Sequence, residues 1–213
     1  MKIRLIFAIV FLGNFGLYGQ NPIVPIPVEV MFGNEQFFFQ MSIKRDFSPK
    51  SKFGFFSVVS YTANYQESLN SNSIVVPVQF TYNLKKGFAF ISGFENSSKS
   101  GVHPIIGFQH SFANRKFLTV SQFTTSLNAN LDSKFFGLYE FKPPINQKLT
   151  FYNRLQMLYI HNVKESLHER SYLMLRSGIK KGPFSFGLAA NLDQFGPNRK
   201  YKDNFGLFSR WEF

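Results

Sequence analysis

The sequence contains no cysteine, only one tryptophan, and 12 acidic residues against 24 basic ones. The absence of cysteine excludes disulfides, thiolate metal sites and a lipid attached near the start of the chain. Beyond residue 20 we find no helical hydrophobic period, no glycine-rich phosphate loop and no apolar run long enough to span a membrane as a helix. The four histidines show no spacing of two or four, so we expect neither a metal site nor another cofactor.

Aromatic residues are abundant instead. They make up 18% of the chain, 29 of the 213 residues are phenylalanine, and the mean hydropathy is only −0.11. Apolar side chains are therefore interleaved with polar ones. This composition is typical of a β-barrel wall that faces lipid. The net charge of +12 indicates anionic partners such as lipid head groups or acidic solutes.

The first 19 residues have the three parts of a secretory signal peptide. Lys2 and Arg4 supply positive charge, Leu5–Leu12 is apolar, and Gly13–Gly19 leads to a predicted cleavage site. A transmembrane helix is the alternative, but the apolar run is too short to cross ~30 Å. We therefore divide the chain into a signal peptide (1–19), an extended proline-rich segment (20–27) and one β domain (28–213).

Residues 28–213 alternate with a period of two, which predicts β-strands of about ten residues each. The clearest case is the apolar face formed by Ile74, Val76, Val78, Phe80, Tyr82 and Leu84. Pro77 lies between them and predicts a local distortion, because proline cannot donate to a ladder. We count about twelve strands, with ten as the alternative. A soluble β-sandwich or lipocalin-like barrel is disfavoured, because the polar faces are rich in Gln, Asn, Thr, Ser and Gly with sparse charge.

The last ten residues, Asn204–Phe213, alternate in the same way and end on an aromatic residue. This stretch resembles the closing strand of bacterial outer-membrane β-barrels. The resemblance implies an all-β, antiparallel, up-and-down transmembrane barrel in the outer membrane of a Gram-negative cell, surrounded by its lipids. It also implies that Trp211 and Phe213 are the signal read by the barrel-assembly machinery. For such a protein we expect no nucleic-acid partner.

The connections between the predicted strands alternate in length, with the longer ones at Asn64–Ser73, Asn96–Gly101, His161–Glu169 and Gln194–Asp203. Outer-membrane barrels have short periplasmic turns, which predicts that both termini are periplasmic. The short turns carry a basic rim, either a solvated ring that meets lipid phosphates or a mouth that attracts anions or an acidic partner. The rim residues are Lys44, Lys50, Lys52, Lys85, Lys86, Arg115, Lys116, Lys148 and Lys181.

Strand parity places a set of charged side chains in the lumen. The basic ones are Arg154, Arg170, Arg176, Lys180 and Arg210, and the acidic ones are Glu29, Glu95, Glu140 and Glu212. The basic residues form a ladder that binds small anionic solutes, or they pair with the acids and plug a narrow lumen. Twelve strands and a basic lumen also resemble, in architecture and charge, the acidic-oligosaccharide porins of the oligogalacturonate type.

Three functional classes follow. The first is a narrow, porin-like channel with modest anion preference, and the alternative is a non-conducting barrel that binds an envelope partner through its basic rim. The third is a lipid-processing esterase, which we do not expect. Such enzymes need a serine and a histidine on one face of a strand, whereas His110 and Ser111 are adjacent, and His168 and Ser171 are three apart at a loop edge. The sequence leaves oligomeric state open.

Overall fold

A computed structural model describes residues 25–66, 72–98 and 100–213. The predicted signal peptide lies outside the described residues. The described residues form a closed antiparallel barrel in which each strand pairs with its neighbours in sequence and the first pairs with the last. The twelve strands are β1 Pro27–Gly33, β2 Gln36–Asp46, β3 Phe53–Asn64, β4 Ser73–Asn83, β5 Phe88–Ser97, β6 Gly101–Ala113, β7 Phe117–Ser126, β8 Ser133–Phe141, β9 Leu149–Asn162, β10 Leu167–Lys181, β11 Phe184–Phe195 and β12 Lys200–Glu212.

The barrel closes where β1 meets β12, with Val28 opposite Trp211. Two backbone hydrogen bonds between Ile26 and Phe213, of 3.0 and 3.1 Å, extend this seam to the end of the chain. Both ends of the barrel domain therefore lie at one end of the barrel, which we call the terminal end; the opposite end is the far end. The predicted all-β barrel and the count of twelve strands are confirmed.

The two faces of the wall differ in polarity as the alternation predicts. Large apolar side chains that point outward from β4 to β7 are exposed, with Phe80, Phe90, Phe108 and Phe123 between 45% and 57% accessible. A continuous apolar exterior is unstable in water, and a closed barrel satisfies all its backbone groups, as lipid requires. The fold is therefore that of a membrane-spanning β-barrel. Among the described residues, no helix is long and apolar enough to cross a membrane.

The predicted difference in connection length is wrong. Three connections expected to be long span only residues 98–100, 163–166 and 196–199, because their strands continue pairing beyond the apolar band. His161 pairs with His168, for example, and Phe195 pairs with Lys200. Connections at the terminal end, such as 47–52 and 142–148, are equally long or longer. The orientation of the barrel in the membrane remains a prediction.

Pro77 disturbs the ladder as predicted. Pairing between β3 and β4 runs from Phe53 to Phe56 and resumes at Ser60 in the same register. The hydroxyl of Ser57 donates a hydrogen bond to the carbonyl oxygen of Pro77 in this gap. A side chain thus replaces part of the backbone pairing that proline removes.

Candidate functional site

The interior of the barrel is filled by side chains from its whole circumference. Each of the twelve strands contributes at least one inward residue that is buried. One such buried residue can be named for each strand, in order from β1 to β12: Glu29, Phe38, Phe56, Gln79, Ile91, Ile105, Val120, Leu138, Tyr152, Met174, Ala189 and Phe208. Six buried side chains pack together in one apolar cluster, which we call the plug: Met31, Phe38, Tyr152, Met174, Ala189 and Phe208.

A carboxylate shared by two arginines lies against the plug. Oε1 of Glu29 accepts hydrogen bonds from Nη2 of Arg154 at 2.7 Å and from Nε of Arg176 at 2.8 Å. All three side chains are at most 2% exposed. The second oxygen of Glu29 has no hydrogen-bond partner among the described residues. One carboxylate therefore balances two buried guanidinium groups, and these three residues form what we call the Glu29 cluster.

A second network joins β8, β9 and β12. Nη1 of Arg210 lies 2.8 Å from Oε1 of Glu140 and donates a 2.7 Å hydrogen bond to the Tyr152 hydroxyl. That hydroxyl in turn donates to Oε1 of Glu140 at 3.1 Å, while Lys142 contacts Oε2 at 2.9 Å. Tyr152 also belongs to the plug, so the polar network and the apolar cluster hold each other in place.

Two residues connect opposite sides of the lumen. Nε2 of Gln40 on β2 donates a 3.0 Å hydrogen bond to Oε1 of Gln156 on β9. Nε2 of Gln156 then donates to the Tyr172 hydroxyl at 3.1 Å. The guanidinium of Arg176 lies 5.6 Å from the centre of the Phe38 ring, within the range of a cation–π contact. The side of the barrel formed by β9 to β2 is therefore bridged as well as filled.

The opposite side of the lumen is also packed. Phe56, Val120 and Leu138 form a second apolar cluster. Beside them, Nε2 of Gln122 donates hydrogen bonds to Gln79 at 2.9 Å and to Gln109 at 2.8 Å. Buried amides that satisfy one another in this way hold a fixed geometry. The packing on this side of the lumen resembles that of a small barrel filled by side chains.

The structure places all five basic residues of the predicted ladder inside the barrel, and each contacts a carboxylate. Besides the pairs already described, Arg170 donates two hydrogen bonds to Asp193, at 3.0 and 2.6 Å, and Lys180 pairs with Glu212. Glu95 pairs with Lys134. The sequence reasoning missed Asp193 and Lys134. Asp193 lies opposite Tyr172, so a register for β10 and β11 would have identified it.

The nine predicted rim residues all lie at the terminal end, in or beside the connections of that end. All nine are exposed, unlike the lumen charges. Trp211 and Phe213, the predicted assembly signal, stack on the outer face with ring centres 4.6 Å apart. The roles of the rim and of this aromatic pair stay predictions.

A cavity of about 340 Å³ opens toward the far end. Ser73, Ser97 and Gly196 lie at its mouth, and Phe38 and Met174 of the plug lie on its wall. Charged residues also line the cavity, among them Arg170 and the ion pair between Glu95 and Lys134. This vestibule can hold a small polar molecule. Among the described residues, no group of three or more His, Asp or Glu could hold a metal ion.

Neither His110–Ser111 nor His168–Ser171 was expected to form a pair on one face of the wall, and the structure corrects one of these two expectations. His110 and Ser111 point to opposite faces: the His110 ring contacts the outward Phe88 ring at a tilted angle, and Ser111 accepts a hydrogen bond from the inward Lys44. The expectation that His168 and Ser171 do not form a pair is wrong, because Nε2 of His168 lies 3.0 Å from the Ser171 hydroxyl. A shift of register between His168 and Arg170 brings them to one face.

No protein-family model matches the sequence, and no curated protein matches it. Similar folds occur among solved structures. The NanC porin superposes with a TM-score of 0.51 at 10% identity, covering 88% of this chain and 99% of its own. The KdgM porin has a TM-score of 0.49 at 13% identity, and the match covers 89% of this chain and 99% of the porin. LpxR from Salmonella typhimurium has a TM-score of 0.47 at 5% identity, and the match covers 89% of this chain and 100% of LpxR. The likeness to NanC shows that this chain has a porin-like barrel fold.

Proposed function

We propose that this protein is a porin-like outer-membrane barrel whose lumen is closed by its own side chains. The observation that carries the proposal is the ring of buried inward residues to which every strand contributes. Tyr152 and Met31 are 0% accessible although both point into the lumen. A twelve-stranded barrel is intermediate between those filled by side chains and those with an aqueous channel. Here the buried inward side chains support the filled form.

The charge pairs resist opening. Separating Arg154 and Arg176 from Glu29 would leave charges unpaired in a region that water does not reach, and breaking a buried pair costs about 3–5 kcal/mol. Opening would also break the Gln40–Gln156 bridge across the lumen. In the closed form the barrel serves as an accessory envelope component. Its exposed basic rim supports binding to an acidic partner at the terminal end.

A liposome-swelling assay tests the closure. Folded protein is reconstituted into phospholipid vesicles, which are then placed in isotonic solutions of glycine, arabinose and glucose. The proposal expects swelling no faster than that of empty vesicles for all three solutes. Swelling that is fast for glycine and slows with solute size would contradict the closed lumen and identify a narrow pore.

A narrow channel with modest anion preference is the second candidate. The vestibule at the far end and the basic rim at the terminal end favour it, because both would attract anions once a path between them opened. Its selectivity would come from the rim, since every member of the predicted ladder is paired with Glu29, Glu140, Asp193 or Glu212. Replacing Lys85 and Lys86 by glutamate would then shift the reversal potential in a salt gradient toward cation selectivity. An unchanged potential would exclude the rim as the selectivity element.

A further inference from the structure

The outer wall carries a serine–histidine pair that the lumen-based function does not use. The β-bulge on β10 creates it. His168 pairs with His161 on β9, whereas Arg170 pairs with Ile160, so Glu169 has no partner in that ladder. An extra residue in one strand reverses the parity beyond it. His168 and Ser171 consequently point to the same outward face, although three residues separate them.

The hydrogen bonds fix which nitrogen of His168 carries the proton. Nδ1 lies 2.8 Å from the backbone carbonyl oxygen of Gly196, which can only accept a hydrogen bond. Nδ1 must therefore be the protonated nitrogen in the neutral ring. Nε2 is then the acceptor, and it lies 3.0 Å from the hydroxyl of Ser171. This is the arrangement in which an imidazole acts as general base for a serine nucleophile.

The turn between β11 and β12 holds this geometry. Gly196 has φ near +70°, a conformation that favours glycine, and its N–H donates a 2.7 Å hydrogen bond to the carbonyl oxygen of Glu169 in the bulge. Gly196 thus forms hydrogen bonds both with the bulge and with the ring of His168. His168 is only 7% exposed, while Ser171 is half-buried. The base is shielded and the hydroxyl remains accessible.

The surroundings are suited to a lipid. Ser171 lies opposite the outward Tyr159, whose ring centre is 5.6 Å from that of His168. From Lys181 at the terminal end to Ser171 the strand rises about 33 Å along its length, or roughly 25 Å vertically at a tilt of ~40°. The apolar band of such barrels is about 25 Å tall. Ser171 is therefore level with the far-end boundary of the hydrocarbon, where the ester groups of membrane lipids lie.

A further buried nitrogen lies beside the pair. Nδ1 of His161, the residue opposite His168, has no hydrogen-bond partner among the described residues. Unsatisfied buried polar atoms are rare in folded proteins and occur where a group has a catalytic role or holds an ion or water.

We propose that Ser171 and His168 form a hydrolase dyad on the lipid-facing wall that cleaves the fatty-acyl ester of a membrane lipid. Oγ of Ser171 attacks the ester carbonyl carbon as its proton moves to Nε2 of His168. The carbon–oxygen bond to the lipid alcohol breaks, and the alcohol oxygen takes that proton. Water then attacks the acyl-serine, passing a proton through His168 back to Ser171, and the fatty acid is released.

A fluorophosphonate probe tests the nucleophile directly. The full-length barrel is folded in detergent micelles, its folding is verified by heat-dependent migration on a gel, and the labelled residue is identified by mass spectrometry. The proposal expects phosphonylation at Ser171, none in Ser171→Ala, and a labelling rate at least about 100-fold lower in His168→Gln. Ser177→Ala is the matched control. Ser177 is an outward serine on the same strand that bonds Asn153 and has no histidine partner, so its removal leaves labelling unchanged.

Fatty-acid release identifies the source of the ester. Wild-type protein is incubated separately with mixed micelles of phosphatidylethanolamine and with purified lipopolysaccharide, and the freed acids are measured by mass spectrometry. Release from either one supports the proposal and assigns the substrate. If the folded protein is not labelled at Ser171 and releases no acid from either lipid, or if Ser171→Ala hydrolyses as fast as wild type, the proposal is overturned.

Discussion

Glu29→Gln is the most informative single change, because it removes the one carboxylate that balances two buried arginines. Oε1 of Glu29 holds Arg154 at 2.7 Å and Arg176 at 2.8 Å, and the Glu29 side chain is 2% exposed. Glutamine has nearly the same shape but no charge. The variant therefore tests the electrostatic part of the Glu29 cluster without creating a cavity.

The magnitude follows from the burial of the pair. Removing one partner of a buried ion pair costs about 3–5 kcal/mol, because the remaining charge is left without compensation. In Glu29→Gln the guanidinium groups of both Arg154 and Arg176 lose this compensating charge, so we expect a loss of stability in the upper half of this range. The two like charges, no longer bridged, also repel each other and push against Phe38 of the plug.

Unfolding in urea measures this loss. The chain has a single tryptophan, Trp211, which lies on the outer wall and reports on the lipid around it. Its fluorescence in phospholipid vesicles gives the free energy of unfolding for each variant. Glu165→Gln, in the exposed connection 163–166, is the matched control and should change that free energy by less than about 0.5 kcal/mol. If Glu29→Gln lowers the free energy of unfolding by no more than this control does, Glu29 does not hold the lumen closed.

Three further outcomes are expected. Gly206→Ala should lower the free energy of unfolding by about 1–3 kcal/mol in the same assay, because an added Cβ would collide with the backbone carbonyl oxygen of Phe32. Deleting Phe213 should reduce the amount of folded barrel in the outer membrane of cells, measured by heat-dependent migration, while unaided folding into detergent is retained. Since the chain has no cysteine, single replacements give clean labels. Lys164→Cys should react with an impermeant maleimide on intact cells, and Lys50→Cys only after the outer membrane is permeabilised. The reverse pattern would invert the predicted orientation.

Strand alternation was enough to predict the barrel and the direction of most side chains. The face from Ile74 to Tyr82 points outward, and Glu29, Tyr152 and Arg210 point inward, because a period of two leaves only two choices once one face must meet lipid. The interruption opposite Pro77 followed from the missing donor of proline. These features depend on local geometry alone.

Features that depend on distant parts of the chain were not predictable in this way. Whether Arg170 meets Asp193, or Gln40 meets Gln156, depends on the register of the strands and on the shape of the barrel. The connection lengths were overestimated, because polar strand ends beyond the membrane lack the apolar alternation that marks the rest. The bulge at Glu169 leaves no sequence signal, although it alone brings His168 and Ser171 together.

Single-channel recording tests the closed lumen most directly. Folded wild-type protein and Glu29→Gln are each inserted into planar bilayers, and insertion is verified by recovering the protein from the membrane. The account predicts no current steps above the bare bilayer for wild type, and discrete steps for Glu29→Gln once the Glu29 cluster is broken. A steady ohmic conductance from the wild-type barrel would contradict it.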